Sequence, residues 1–224
     1  MIIPAPLEDY PEDLIARLDT FRQLTPIPQI VEVDIVDGEF APHLTIDTEQ
    51  LAEIDTTPFE IDIHLMVIEP TDYVYQIRQG ADRGQKIRTV IAQVERLHSL
   101  QEFVEEVQAN KFQVGFALDL YTPIEAIDVE LLPDIQLISL LGGKAGEQGQ
   151  DFQLIVLEKI RELTELKREG GFSFEIRVDV GMGPDTIPVV KAAGAESFAV
   201  GSELKTATQA EQQEKWKQLW AAQE

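Results

Sequence analysis

The sequence contains no cysteine, and this absence excludes several kinds of site. Disulfide bonds, thiolate-bound zinc and thiol nucleophiles all depend on cysteine. Apolar runs of the about 20 residues that cross a bilayer are missing too. The N-terminal segment has neither the basic start nor the apolar run of a signal peptide. We therefore expect a protein of the cytoplasm that does not insert into a membrane.

Positive charge is scarce. The chain has 18 lysines and arginines against 41 acidic residues, which gives a formal net charge of −23. Such a charge repels nucleic acids and anionic membrane surfaces, so we expect neither as a partner. A phosphorylated ligand would have to be bound by backbone N–H groups and a few nearby cations.

Strand and helix patterns alternate along the whole chain without a linker. Eight strand candidates are each followed by a helix candidate, and no G-x-G-x-x-G turn follows any of them. With 224 residues, 44% of them hydrophobic, the chain suits one domain spanning residues 1 to 224. The pattern predicts the α/β class and a (β/α)8 TIM barrel. In it, Gly80 is expected to end the third helix, and Trp216 and Trp220 to pack one turn apart on the last helix.

Three of the strands carry charged residues on one face. In V-E-V-D-I-V, the valines and isoleucine at positions 31, 33 and 35 share a face, and Glu32 and Asp34 lie on the other. The segments F-E-I-D-I-H-L and F-E-I-R-V-D-V repeat this arrangement. The three strands thus place Asp34, His64 and Asp179 near their carboxyl ends, where parallel barrels carry their chemistry.

Carboxylates inside a barrel need a partner or a metal ion, since an isolated buried charge is costly. Two carboxylates and an imidazole from different strands can supply ligands for zinc, iron or manganese. They can also supply a base and an acid for proton transfer next to a carbonyl.

The motifs resemble those of the ribulose-phosphate 3-epimerase family over nearly the whole chain. The segments that carry the resemblance, in this order and spacing, are VEVDIVDGEFAP, DIHLMVIEP, VGFALDLYTPIEA, VLEKIRELTEL and VDVGMGPDTIPVVKAAGAESFAVGSEL. The resemblance implies a barrel of the ribulose-phosphate-binding type. It also implies a metal-dependent isomerase that inverts C3 of D-ribulose 5-phosphate to give D-xylulose 5-phosphate. Homo-oligomers are common in that family, so we expect one here.

The resemblance also assigns roles to residues. Asp34 and Asp179 match the two acids that transfer protons on opposite faces of the sugar. In the family these aspartates and two histidines bind a divalent metal, and His64 matches the second histidine. By the same matching, the residues expected to contact the substrate or its phosphate are Met66, Gly146, Gly149, Gly181, Gly201 and Ser202.

The chain departs from the family pattern at several of these places. Glu32 stands where the family has its first metal-binding histidine. It either ligates the ion, favouring manganese or magnesium, or pairs with Arg177 so that no metal binds. Ala5 replaces an active-site serine, the loop at 142–152 is altered, and Val180 replaces a glycine.

Three functions remain open on this evidence. The first is an epimerase acting on ribulose 5-phosphate or a related ketose phosphate. The second is a catalytically silent barrel that binds a sugar phosphate or a protein partner, which the altered residues favour and the two aspartates disfavour. The third is a related aldolase or decarboxylase, which the D-I-H-L-M-V segment disfavours.

Overall fold

Eight parallel strands form one sheet in a computed structural model that describes residues 1–147 and 149–224. The hydrogen-bonded order is β1-β8-β7-β6-β5-β4-β3-β2, and β1 lies beside β2, so the sheet curls into a barrel. The strands are β1 (Ile2–Pro4), β2 (Ile30–Val36), β3 (Glu60–Met66), β4 (Lys86–Gln93), β5 (Gln113–Leu118), β6 (Leu137–Leu141), β7 (Glu175–Asp179) and β8 (Ser197–Val200). The predicted (β/α)8 architecture is confirmed.

Helices connect the strands on the outside of the barrel. In the described chain they are α1 (Pro11–Phe21), α2 (Thr48–Leu51), α3 (Val74–Asp82), α4 (Leu100–Ala109), α5 (Val156–Gly170), α6 (Ile187–Ala193) and α7 (Gln209–Ala222). None of the described helices combines the length and apolar character that a membrane crossing needs.

One detail of the helix prediction was wrong. Gly80 does not end α3, which continues to Asp82; it lies buried inside the helix, against the Gln85 side chain. Between β5 and β6 the expected short helix takes the form of two 3-10 helical turns, at Ile124–Ala126 and Val129–Asp134. Pro133 lies in the second turn, and proline removes a backbone donor that a longer helix would use.

The main core lies between the strands and the helices. Val31, Val33 and Ile35 of β2 belong to it, and α1 adds Leu14 and Leu18. This packing takes the apolar face of each strand outward, which leaves the alternate face for the barrel interior. Trp216 and Trp220 meet edge to face with ring centroids 6.0 Å apart, as their spacing predicted.

Candidate active site

Four side chains from three strands converge at the carboxyl end of the barrel. They are Glu32 and Asp34 of β2, His64 of β3 and Asp179 of β7, and one ligand atom of each lies within 4.8 Å of the others. Glu32 and His64 are fully buried, and the carboxylates of Asp34 and Asp179 are 7% and 13% exposed. The side chains therefore form one compact cluster that is closed below and open on the side of the aspartates.

Strand register brings these residues together. Asp34 is the direct ladder partner of His64, and His64 Nδ1 lies 3.2 Å from Asp34 Oδ1. Asp179 ends β7, and its Oδ2 lies 4.0 Å from the same ring nitrogen. The Asp179 carboxylate is held from behind by the N–H of Val180, which donates to Oδ1 at 2.6 Å. Asp34 and Asp179 thus approach the imidazole from two different strands.

The two carboxylate oxygens of Glu32 have different surroundings. Oε2 accepts a hydrogen bond from Arg177 Nη1, so the predicted pairing of Glu32 with Arg177 is present. Oε1 is buried and has no hydrogen-bond partner among the described residues. An unpaired buried carboxylate oxygen is unfavourable, and a cation in the cluster would satisfy it. Pairing with Arg177 therefore leaves one oxygen of Glu32 for a metal ion.

A layer of ion pairs closes the barrel beneath the cluster. Arg177 is fully buried, with its Nη2 2.8 Å from Asp62 Oδ2 and 3.1 Å from Glu175 Oε1. Arg88 Nε donates to Asp62 Oδ1 at 2.8 Å. Burial disfavours ionised Asp62, but the two arginines outweigh it and lower the pKa of this carboxyl. The layer supports Glu32 from below with fixed positive charge.

Three groups of the cluster have raised pKa values. Burial, together with Glu32 and Asp34, raises the pKa of Asp179 to about 8. Burial alone lowers the pKa of His64, but its hydrogen bond to Asp34 and the nearby carboxylates raise it to about 9. Burial also raises the pKa of Glu32, against the opposing effect of Arg177. Protons therefore occupy places that a divalent ion can take.

A cavity opens directly above the cluster. It is lined by Asp34 and Asp179 and by all the residues predicted to contact substrate, which are Met66, Gly146, Gly149, Gly181, Gly201 and Ser202. Ala5 lies in the same wall. The cavity has a volume of about 40 Å³, room for a few water molecules.

The segment that follows β6 covers one side of this cavity. The Gln150 side chain holds it in a loop, since Oε1 accepts from the N–H of Lys144 at 3.0 Å and Nε2 donates to the Lys144 carbonyl at 2.7 Å. Lys144 itself is exposed and does not line the cavity. Gln148, within the altered loop at 142–152, lies outside the described residues.

Sequence reasoning missed Gln93, the last residue of β4. It is fully buried, and its amide nitrogen lies 3.0 Å from His64 Nε2. The available signal was a polar residue that follows the buried apolar residues 90–92 at the carboxyl end of β4.

Comparison with known proteins agrees with this geometry. The ribulose-phosphate 3 epimerase family matches residues 20–205. The cytoplasmic isoform of ribulose-phosphate 3-epimerase from Oryza sativa subsp. japonica is 31% identical over 206 residues, which cover 91% of this chain and 86% of that protein. The chain belongs to the ribulose-phosphate 3-epimerase family. The epimerase of Escherichia coli (strain K12) is 30% identical over 84% of this chain and 83% of its own.

Solved structures show the same fold at lower sequence identity. The 3-keto-L-gulonate-6-phosphate decarboxylase of Vibrio cholerae superposes with a TM-score of 0.69 at 11% identity, covering 99% of this chain and 96% of that one. A 3-hexulose-6-phosphate synthase gives a TM-score of 0.65 at 16% identity, covering 99% of both chains. These similarities concern the barrel architecture alone.

Proposed function

We propose that this protein is a metal-dependent 3-epimerase of a ketose phosphate, with ribulose 5-phosphate and xylulose 5-phosphate as the expected pair. The observation that carries the proposal is the convergence of Asp34 and Asp179, from different strands, on the floor of one cavity beside His64. Inversion at a carbon next to a carbonyl requires an acid on each face of that carbon.

The two aspartates would work as a pair. For one epimer, one carboxylate removes the proton from C3 and the other carboxylic acid delivers a proton to the opposite face of the same carbon. For the reverse reaction the roles exchange. A Val180 N–H on Asp179 and the His64 ring on Asp34 hold the two carboxyl groups in place during the transfer.

Glu32, Asp34, His64 and Asp179 would hold the divalent ion, for which zinc, manganese, iron and magnesium are candidates. When bound, the ion supplies an electrophile that polarises the substrate carbonyl and stabilises negative charge on its oxygen. The unpaired Oε1 of Glu32 and the mixed carboxylate and imidazole donors support this assignment.

The phosphate would be bound at the glycine-rich rim, by Gly181, Gly201 and Ser202 and by the loop that contains Gly146 and Gly149. Among the residues that the structure describes, no lysine or arginine lines the cavity, so this binding would rely on backbone N–H groups.

Asp34→Asn and Asp179→Asn test the two-acid assignment. Each variant should lose at least about a hundredfold in turnover of ribulose 5-phosphate in the presence of added metal ion, because general acid and base groups contribute about 10²–10⁴-fold. Asp13→Asn, the same change on an exposed turn of α1, is the matched control and should keep full activity. Full activity in either site variant would exclude the mechanism.

Deuterium exchange at C3 in heavy water separates the competing functions. A working base without its partner acid gives exchange without net epimerisation. Asp34→Asn and Asp179→Asn should therefore each exchange the C3 proton of one epimer with solvent and leave the C3 proton of the other epimer unexchanged. A wild-type protein that binds metal and a sugar phosphate but exchanges no proton would favour the catalytically silent barrel. Homo-oligomer formation and a cytoplasmic location stay predictions.

A further inference from the structure

Gln93, which no sequence motif singled out, contacts His64 at Nε2, the ring nitrogen that does not face the two aspartates. Strand register explains the contact: Ile91 of β4 is the ladder partner of His64, and Gln93 projects to the same side two residues later. The amide nitrogen of Gln93 lies 3.0 Å from His64 Nε2, and its oxygen Oε1 is buried without a hydrogen-bond partner among the described residues.

The orientation of that amide is tied to the tautomer of His64. With the nitrogen toward the ring, Nε2 accepts a hydrogen bond and the ring proton lies on Nδ1. Nδ1, however, is the nitrogen that faces Asp34 and Asp179. A histidine ligates a metal through an unprotonated nitrogen, so an ion in the cluster requires the proton on Nε2, which must then donate to an acceptor.

Rotation of the Gln93 amide by half a turn supplies that acceptor. The oxygen and nitrogen of an amide have nearly the same shape, so the exchange needs no other movement. It pairs the Oε1 that is otherwise buried alone.

We infer that Gln93 is a positioning residue for the metal centre: its Oε1 accepts the Nε2–H of His64 and so presents Nδ1 of that histidine to the ion. The inference rests on the proposed metal-dependent function.

The test measures zinc affinity by competition with a chromophoric chelator, at neutral pH and without substrate. Gln93→Leu removes the acceptor and should weaken zinc binding about 10–100-fold, as losses of ligand-orienting partners do. Gln93→Glu keeps an acceptor and removes the donor, so it should bind zinc at least as tightly as wild type. Gln212→Leu is the matched control: Gln212 is also buried, also has an unpaired Oε1, and lies on α7 away from the cluster. It should leave zinc affinity unchanged.

Nitrogen-15 NMR of labelled histidine in the zinc-loaded protein gives an independent reading, with the His64 signal assigned by its loss in His64→Gln. We expect a zinc-bound Nδ1 and a protonated Nε2. A bound Nε2, or a Gln93→Glu affinity as low as that of Gln93→Leu, would overturn the inference. So would a Gln93→Leu affinity equal to wild type. In those cases zinc still binds and the proposed metal centre stands. Failure of the wild-type protein to bind zinc would remove the metal centre and this inference together.

Discussion

Metal binding should release protons, and the expected number follows from the raised pKa values of Asp179 and His64. At pH 7 a group such as Asp179, with a pKa of about 8, keeps its proton in about nine molecules of ten, and His64, with a pKa of about 9, keeps it almost fully. An ion that takes both groups as ligands must displace these protons. We expect about two protons to leave per zinc ion near pH 7.

The same reasoning fixes the pH dependence of affinity. The logarithm of the zinc association constant should rise by about two per pH unit between about pH 6 and 7 and level off above about pH 9. Isothermal titration calorimetry in buffers of different ionisation enthalpy counts the protons directly. Asp179→Asn should release about one proton fewer, and Asp13→Asn should match wild type. Zinc binding that is independent of pH, or that releases no protons, would refute the electrostatic account of the cluster.

Three further predictions concern stability. Arg177→Met should lower the free energy of unfolding in urea by about 3–5 kcal/mol, because it leaves buried carboxylates without a positive partner. The exposed control Arg168→Met should stay within about 0.5 kcal/mol of wild type. Equal effects of the two substitutions would contradict the role of the buried ion pairs. Metal-free protein should lose stability as pH rises from 6.5 to about 9. The raised pKa of His64 stabilises the folded state fully below the pKa of an unfolded histidine, and this stabilisation is lost as pH rises through the folded-state pKa; the raised pKa of Asp179 acts in the same direction up to about pH 8. Thermal unfolding in the presence of a chelator measures the change. An increase in stability over this pH range would show that the predicted sign is wrong. Gly181→Ala should lower the melting temperature more than Gly171→Ala does. Both glycines have positive φ, but an added Cβ would lie 2.7 Å from a backbone nitrogen at Gly181 and would meet nothing within 4 Å at Gly171. Equal melting temperatures of the two variants would contradict this prediction.

The sequence by itself predicted the barrel and most of the residues that meet in the candidate site. Alternation of apolar and charged residues fixed which face of each strand is buried against helices, and this is a local property of the chain. Asp34, His64 and Asp179 could be grouped because parallel strands bring their carboxyl ends to one side. Their family motifs then gave each residue an expected role. The helix ends were less accurate, as at Gly80, because a buried glycine in a helix and a helix-ending glycine look alike in sequence.

Only the tertiary structure decided how Glu32 is used. The sequence left two alternatives, a metal ligand or a partner for Arg177, and treated them as exclusive. Residues 32 and 177 are far apart in the chain, and the choice depends on where two carboxylate oxygens point. In the folded barrel one oxygen faces Arg177 and the other is unpaired. Gln93 became visible for the same reason, because a contact between neighbouring strands is set by register and leaves no pattern within either strand.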